Sequence, residues 1–352
     1  MNSHYNKMGF HANIAYPSPI GFDTIMFELK QEDCPEYDLL AEVPAMIPEI
    51  YITMLTDSYC RFKYRGLTFD VNSKRLKLRK GCLCTFYRGG SNLYPLLPNE
   101  VDKAVRKLRD FIPVPWERSF IWCFHLAINN IVNCTPVAYF LRLADMPKWT
   151  RLVPSKTQIV YTSSGTLDGT KEHVSFYDKS NKNKLENDVL RIEYKSTGKH
   201  HGKSCNYKVD TFQRLSDIDV YDELLDYVES KLDSITILKS SDNAIKIGSC
   251  NKEFFSSITE KGVKYEGYNT LLSKVEEAKL KGEMTPDRYQ RAKRKLKDYV
   301  QASPETDKTS DIGAEIITNY KELIADSKQF IRGSDIPRFK EWISLCQDGG
   351  GE

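Results

Sequence analysis

The sequence predicts an α+β protein in which an antiparallel sheet forms first and helices follow. Short runs with the two-residue alternation of strands recur up to about residue 200, separated by turn residues. Two helical segments interrupt them, beginning near Pro98 and Pro136. Beyond residue 200 the apolar residues follow helical spacing, as in 220–232. Strands followed by helices are the pattern of the α+β class.

The predicted strands are bounded by turn signals such as Asn72-Ser73 and Gly89-Gly90. In chain order they are 22–29, 50–55, 60–64, 67–71, 75–79, 82–87, 120–132, 158–163, 172–179 and 189–195. A helix at 98–111 has apolar residues at helical spacing, and Thr135-Pro136 is a capping signature for a second helix to about residue 144.

Four regions follow from these patterns. Residues 1–20 form a polar lead-in, and 21–200 a sheet-based domain. Region 201–301 is helical and contains a basic, helix-turn-helix-like pair of helices separated by Gly282. The first spans 268–280, and the second is capped at Thr285-Pro286-Asp287 and extends to about residue 300. Residues 302–352 comprise a linker and C-terminal helices.

Composition indicates a protein of the cytoplasm. The chain has 352 residues, 40% hydrophobic and 28% charged, with a net charge of +3 that does not by itself indicate a partner. No stretch reaches the ~20 apolar residues of a membrane span, and the N-terminus lacks the pattern of a secretory signal. We therefore expect no membrane contact.

The nine cysteines are odd in number and contain no C-x-x-C motif. Cys82 and Cys84 point to the same side of a predicted strand, but no matching His/Cys pair follows them. The sequence thus predicts neither a zinc site nor a disulfide framework.

One predicted hairpin, 172–195, carries an unusual set of polar side chains. Alternation places Tyr177 and Lys179 on one face of its first strand. Arg191 and Glu193 lie in step on the second strand. A solvated sheet face is the commoner explanation of such a pattern, and a reactive site is the alternative.

A further strand adds nitrogen and oxygen donors. His125 and Asn129 share its polar face, and in a common sheet they converge with Glu193 near the Tyr177 hydroxyl. Such donors suit Mn²⁺ or Mg²⁺, which polarise a phosphodiester. Tyrosine, with a pKa of ~10, is a poor nucleophile, and a neighbouring Lys179 ammonium would favour its phenolate. Singly, each residue has a plainer explanation in core packing or a surface ion pair.

Four motifs follow one another in a recognisable order. They are the turn Gly89-Gly-Ser-Asn92 before a helix, then an Arg-x-Asp-like strand with Cys123 and His125 at the two positions, then Phe176-Tyr-Asp-Lys179, then Leu190-Arg-Ile-Glu193. Over residues 22–200 this order resembles the rolling-circle replication initiators of the filamentous-phage gene II/X type, which are distantly similar to the plasmid Rep_trans initiators. The last two motifs are the most specific part of the resemblance.

The resemblance implies an HUH-endonuclease-like domain that nicks one strand at a replication origin in a bacterial host cell. Tyr177 would be the nucleophile, giving a 5′-phosphotyrosine and a 3′-OH primer, with Lys179 as its catalytic neighbour. His125, Asn129 and Glu193 would hold Mg²⁺ or Mn²⁺. His125 stands where the family usually has aspartate.

The implied partner is origin DNA, double- and single-stranded. Host helicase and polymerase are further candidate partners. A second copy of the chain, giving a homodimer, is another candidate partner. We expect the DNA contacts at Arg191 and at the basic helix with Arg288, Arg291, Arg294 and Lys295.

Two alternatives stay open. One is a DNA-binding protein on the same fold without catalysis, which would lack metal-dependent activity. The other is a protein that binds single-stranded nucleic acid through exposed aromatic residues. Competition between origin DNA and unrelated RNA would separate this second case.

Overall fold

The strands of the first 200 residues form a single antiparallel sheet, and they differ in length. The computed structural model describes residues 15–90, 93–140, 142–166, 172–197, 209–237, 282–302 and 312–348, with five isolated residues between 272 and 279. In these ranges the strand order is β2-β3-β4-β5-β1-β6-β10-β9-β8-β7. Together with the helices this confirms the predicted α+β class. An HUH-endonuclease-like arrangement stays a prediction.

The strand bounds are β1 (Gly21–Lys30), β2 (Ile52–Thr56), β3 (Tyr59–Tyr64), β4 (Leu67–Asn72), β5 (Arg75–Lys80), β6 (Phe120–Ile131), β7 (Thr150–Ser155), β8 (Gln158–Thr162), β9 (Glu172–Asp178) and β10 (Val189–Thr197). The helices are α1 (Leu39–Met46), α2 (Leu83–Tyr87), α3 (Pro98–Arg109), α4 (Pro136–Phe140), α5 (Lys179–Asn183), α6 (Phe212–Ser216), α7 (Ile218–Asp233), α8 (Pro286–Ala302), α9 (Ile312–Ile331) and α10 (Lys340–Asp348). Short 3₁₀ turns occur at Gln31–Asp33, Glu49–Tyr51, Trp116–Arg118 and Pro337–Phe339.

The central strands β1, β6 and β10 carry the core on the face that α7 and α9 cover. Phe22 of β1 packs edge-on against Phe124 of β6, with ring centroids 6.0 Å apart, and against Tyr221 of α7 at 6.4 Å. Helix α9 is fixed to the same core, because the buried Ser327 hydroxyl accepts a 2.9 Å hydrogen bond from the Ile20 amide. Burial of such aromatic surface is the main stabilising contribution here.

A β-bulge in β1 changes which side chains reach the other face of the sheet. Phe22 pairs with Leu126 of β6, but Thr24 pairs with His125, so two residues of β1 span one step of β6. The extra residue is Asp23. Because a bulge shifts the alternation of side chains, Phe22 lies on the core face while Thr24 lies on the face of His125.

Most predicted elements are confirmed, and several details are wrong. Residues 82–87 are not a strand, since Leu83–Tyr87 form helix α2, which buries Leu83 and Phe86 on one helical side. Strand β7 and helix α6 were not predicted, and α4 ends earlier, at Phe140.

The C-terminal predictions have mixed outcomes. Helix α8 begins as predicted, with the Thr285 hydroxyl accepting a hydrogen bond from the Arg288 amide at 3.4 Å. The predicted helix at 268–280 lies largely outside the described residues, as does most of the linker. The division into four regions stays a prediction. None of the described helices is both long and apolar enough to cross a membrane.

Candidate active site

Four neighbouring strands present polar side chains on the face opposite to the α7 and α9 helices. In β10, Arg191 pairs with Tyr177 of β9 on one side and with Asn129 of β6 on the other. Directly paired residues of antiparallel strands point to the same face. Glu193, two residues along β10, shares that face, as the sequence predicts.

A chain of short polar contacts joins these strands. The Tyr177 hydroxyl donates a hydrogen bond of 2.5 Å to Oε1 of Glu193. The same oxygen lies 3.0 Å from Nε of Arg191. Nη2 of Arg191 lies 2.5 Å from Oδ1 of Asp23, the bulge residue of β1. The buried guanidinium thus bridges two carboxylates from different strands, which fixes both side chains.

His125 completes the cluster from β6. Its Nδ1 lies 3.6 Å from Oε2 of Glu193. Burial acts to lower the pKa of His125, but hydrogen bonds involving Cys123 and Glu193 raise it to about 9. The pKa of Glu193 is held well below its usual range; burial opposes this, and the interactions with His125 and Arg191 outweigh it. At neutral pH the pair is therefore charged, and a cation that binds here has to displace the proton of His125.

The donor atoms are arranged as a cation site would need them. One ligand atom each from Asp23, His125 and Glu193 lies within 4.8 Å of the other two. Two carboxylates and one imidazole suit Mn²⁺ or Mg²⁺, which take oxygen-rich sites with nitrogen admitted. The residues therefore fit the divalent ion that the sequence predicts. The sequence-based ligand set lacked Asp23, because the mixed alternation of residues 22–29 does not mark one polar face of that strand.

Asn129, the third predicted ligand, occupies a different environment. Its side chain is buried, and its amide donates a 2.7 Å hydrogen bond to the Leu93 carbonyl. Arg191 also contacts that carbonyl, at 3.5 Å. The segment around Leu93 therefore covers this end of the polar face. The structure adds Asp23 to the donors around His125 and Glu193, and the ligand role of Asn129 stays a prediction.

Lys179 and Arg191 also differ from their predicted roles. Strand β9 ends at Asp178, and Lys179 begins α5 with its side chain fully buried. Burial, together with the charge of Arg191, lowers the pKa of Lys179 to about 7. Lys179 is thus a weaker source of positive charge than an exposed ammonium. Arg191 is also fully buried, and its guanidinium neutralises Asp23 and Glu193, so it is not an exposed DNA contact.

Tyr177 lines an open cleft of about 580 Å³ on this face. Its other lining residues are Asp23, Thr24, His125, Thr157, Gln158, Asp178, Asn181, Lys182 and Glu193. The Lys182 ammonium lies 5.6 Å from the centroid of the Tyr177 ring. Burial and the nearby Glu193 carboxylate raise the pKa of Tyr177, although the Arg191 charge opposes them. The tyrosine is therefore a neutral phenol at neutral pH, beside a cluster that can hold a cation.

A second histidine, His173 of β9, lies next to His125, with ring centroids 6.3 Å apart. Burial and the charge of Lys195 lower the pKa of His173 to about 3. It is neutral at physiological pH, in contrast to its neighbour. The sequence alone did not mark His173 as a site residue, although its place on the face of Tyr177 follows from strand alternation.

The predicted DNA-contacting residues of α8 lie on its solvent side where the structure describes them. Arg288, Arg291 and Arg294 are exposed, and Tyr289 on the opposite side of the helix is buried. The side chain of Lys295 lies outside the described residues. The role of this helix in DNA binding stays a prediction.

Comparisons with known proteins give one distant likeness. No protein-family model matches the chain, and no curated protein matches it. Among solved structures, it is similar to the rolling circle replication initiator protein from Geobacillus stearothermophilus. The two share 10% sequence identity with a TM-score of 0.31, over 67% of this chain and 90% of the other. A similarity of this size does not establish a shared fold.

Proposed function

We propose that this chain is a rolling-circle replication initiator that nicks one strand of origin DNA with Tyr177. The observation that carries the proposal is the convergence of the Tyr177 hydroxyl with Asp23, His125 and Glu193 in one open cleft. The motif order around Tyr177 and Glu193 supports the same class of protein. A tyrosine nucleophile and a set of cation ligands are the groups that metal-assisted phosphoryl transfer uses.

The proposed step exchanges one phosphate ester for another. The Tyr177 oxygen forms a bond to the phosphorus of a DNA phosphodiester, and the bond from that phosphorus to the 3′ oxygen breaks. The phenol loses its proton, and the 3′ oxygen takes up a proton to become a hydroxyl. The products are a 5′-phosphotyrosine link and a 3′-OH that a polymerase can extend.

The residues of the cleft have distinct parts in this step. Glu193 orients the phenol through the 2.5 Å hydrogen bond. Arg191 fixes the Glu193 carboxylate through the contact of its Nε with Oε1. Asp23, His125 and Glu193 would hold the divalent ion. When bound, such an ion supplies positive charge that favours the phenolate and polarises the phosphodiester. Lys179 is a positioning residue for the buried charge cluster.

DNA can reach the cleft from its polar rim. Lys182, beside the Tyr177 ring, offers an ammonium for a backbone phosphate. The side chains of Asn181 and Gln158 line the same opening and can donate hydrogen bonds. The exposed arginines of α8 are proposed as a second, sequence-independent contact with origin DNA.

A nicking assay tests the proposal. Supercoiled DNA carrying the origin region of the chain's own genetic element is incubated with the full chain and Mn²⁺. We expect conversion to open circles by the unaltered chain, and its loss in Tyr177→Phe. The variant Tyr161→Phe is a matched control, since that hydroxyl is buried and bonded to the Ala144 carbonyl at 2.7 Å. Full nicking by Tyr177→Phe would refute the nucleophile.

One observation favours the alternative of DNA binding without catalysis. The raised pKa of Tyr177 and its hydrogen bond to Glu193 hold the phenol in its unreactive form. On this alternative, the chain retains origin DNA on a filter but leaves it intact with Mn²⁺ present. Nicking that requires Tyr177 would exclude it.

A further inference from the structure

A second group of ligand atoms lies beside the candidate active site and shares one residue with it. A carboxylate oxygen of Asp23 and the thiol sulfurs of Cys82 and Cys84 lie within 4.8 Å of one another. Asp23 and Cys84 are buried, and Cys82 is partly exposed. The group thus joins strand β1 to the start of helix α2.

The fold brings these three residues together although the sequence pattern does not predict it. Cys82 immediately precedes α2, and Cys84 lies in its first turn, so both sulfurs are carried by one rigid segment. That segment packs against β1 at the bulge, where the buried Asp23 lies. The Cys82 thiol donates a hydrogen bond to the backbone carbonyl of Asp23. The third donor is therefore supplied by a strand 59 residues away.

We propose that Cys82, Cys84 and Asp23 form a site for a soft divalent cation such as Zn²⁺, with solvent as the fourth ligand. Two sulfurs bound to one tetrahedral zinc lie about 3.8 Å apart, given a Zn–S distance of about 2.3 Å. Ligand atoms that already lie within 4.8 Å need to move by only about an ångström to reach that geometry. Sulfur donors select Zn²⁺ or Cd²⁺ over the hard ions Mg²⁺ and Mn²⁺.

The surrounding charge also suits an occupied site. A zinc ion held by two thiolates and one carboxylate carries one net negative charge. The Arg191 guanidinium pairs with Asp23 and is close enough to interact electrostatically with Cys84. Its positive charge, which it shares with Glu193, offsets part of this negative charge in a buried environment, where an unpaired charge is costly.

Sharing of Asp23 has a functional consequence, which rests on the proposed nicking activity. A soft ion held by the two thiolates takes the Asp23 carboxylate away from His125 and Glu193. The hard ion of the cleft then loses one of its protein ligands. The thiol site would thus be inhibitory.

Cadmium binding to the reduced, full-length chain tests the site directly. Thiolate ligation of Cd²⁺ gives a sulfur-to-cadmium absorption band in the ultraviolet. We expect this band to saturate at one equivalent of Cd²⁺ and to be lost in both Cys82→Ser and Cys84→Ser. Cys134→Ser is the matched control and should retain it, because Cys134 lies outside the cluster.

A second measurement covers the case in which Cys84→Ser, a change at a buried position, fails to fold. Zn²⁺ should raise the Tm of the unaltered chain, and this rise should be absent in Cys82→Ser, whose side chain is partly exposed. A missing absorption band, or an equal band in Cys82→Ser and the unaltered chain, would overturn the site. Neither readout depends on nicking, so a chain that binds Cd²⁺ but leaves DNA intact would contradict only the proposed function.

Discussion

Replacing Arg191 by methionine tests whether the buried guanidinium holds the candidate site together. Arg191 is fully buried and lies 2.5 Å from Asp23 and 3.0 Å from Glu193. Methionine keeps much of the side-chain length but removes the charge. Two buried carboxylates then lose their shared cation. Breaking such a buried pair typically costs about 3–5 kcal/mol in the free energy of unfolding.

The loss should depend on pH with a definite sign. The folded-state pKa of Glu193 is held below its ordinary value, with the charge of Arg191 among the causes. A carboxyl group of this kind contributes stability above its unfolded pKa of ~4.3, and that contribution is lost as the pH falls. The penalty of Arg191→Met is therefore complete at neutral pH and shrinks under acidic conditions, where Glu193 can take up a proton.

Urea unfolding followed by circular dichroism measures both quantities. The unaltered chain and Arg191→Met are compared at about pH 7 and about pH 4. Arg332→Met is the control, because Arg332 pairs with Asp219 and Asp222 on the surface with 55% of its own side chain exposed. We expect a much smaller, pH-insensitive loss for it. A loss below about 1 kcal/mol for Arg191→Met, as at a surface pair, would refute the reasoning.

Three further outcomes are expected. Glu193→Gln should lower the pKa of His125 from about 9 towards its ordinary value of ~6.5, because a favourable charge is removed; a histidine NMR titration that leaves it near 9 would contradict this. Ser327→Ala should destabilise the chain by about 1–3 kcal/mol in urea unfolding, because the buried Ile20 amide loses its acceptor, and an unchanged midpoint would show that this hydrogen bond does not stabilise the fold. Reversing the charge of the three exposed arginines of α8 should weaken DNA binding and flatten the dependence of affinity on salt concentration. An unchanged salt dependence would show that this helix does not contact DNA.

Alternation alone predicted the parts of the site that lie on regular strands. His125, Tyr177 and Glu193 share one face of β6, β9 and β10, as their sequence positions require. The two-residue period predicts which side chains of one strand share a face, whereas the meeting of these three residues also depends on the strand order β6-β10-β9. The same reasoning located the helices α3 and α7 from their apolar spacing.

The remainder of the site depends on tertiary structure that a single sequence does not reveal. Asp23 joins the cluster because β1 pairs with β6, and a single sequence does not show which strands pair. The burial of Lys179 and Arg191 follows from α5 and from the segment around Leu93 that covers the sheet face. Charged residues are usually exposed, so sequence reasoning favours a surface role for both. Their burial turns them into counter-charges for the carboxylates.

Peptide mass spectrometry detects the covalent bond that we propose between Tyr177 and DNA. The full chain is incubated with Mn²⁺ and a single-stranded origin oligonucleotide, then digested with a nuclease and trypsin. We expect the peptide containing Tyr177 to gain the mass of a 5′-phosphonucleotide, and the Tyr177→Phe chain to yield no adduct. A nucleotide on another tyrosine, or cleaved DNA without any adduct, would contradict it.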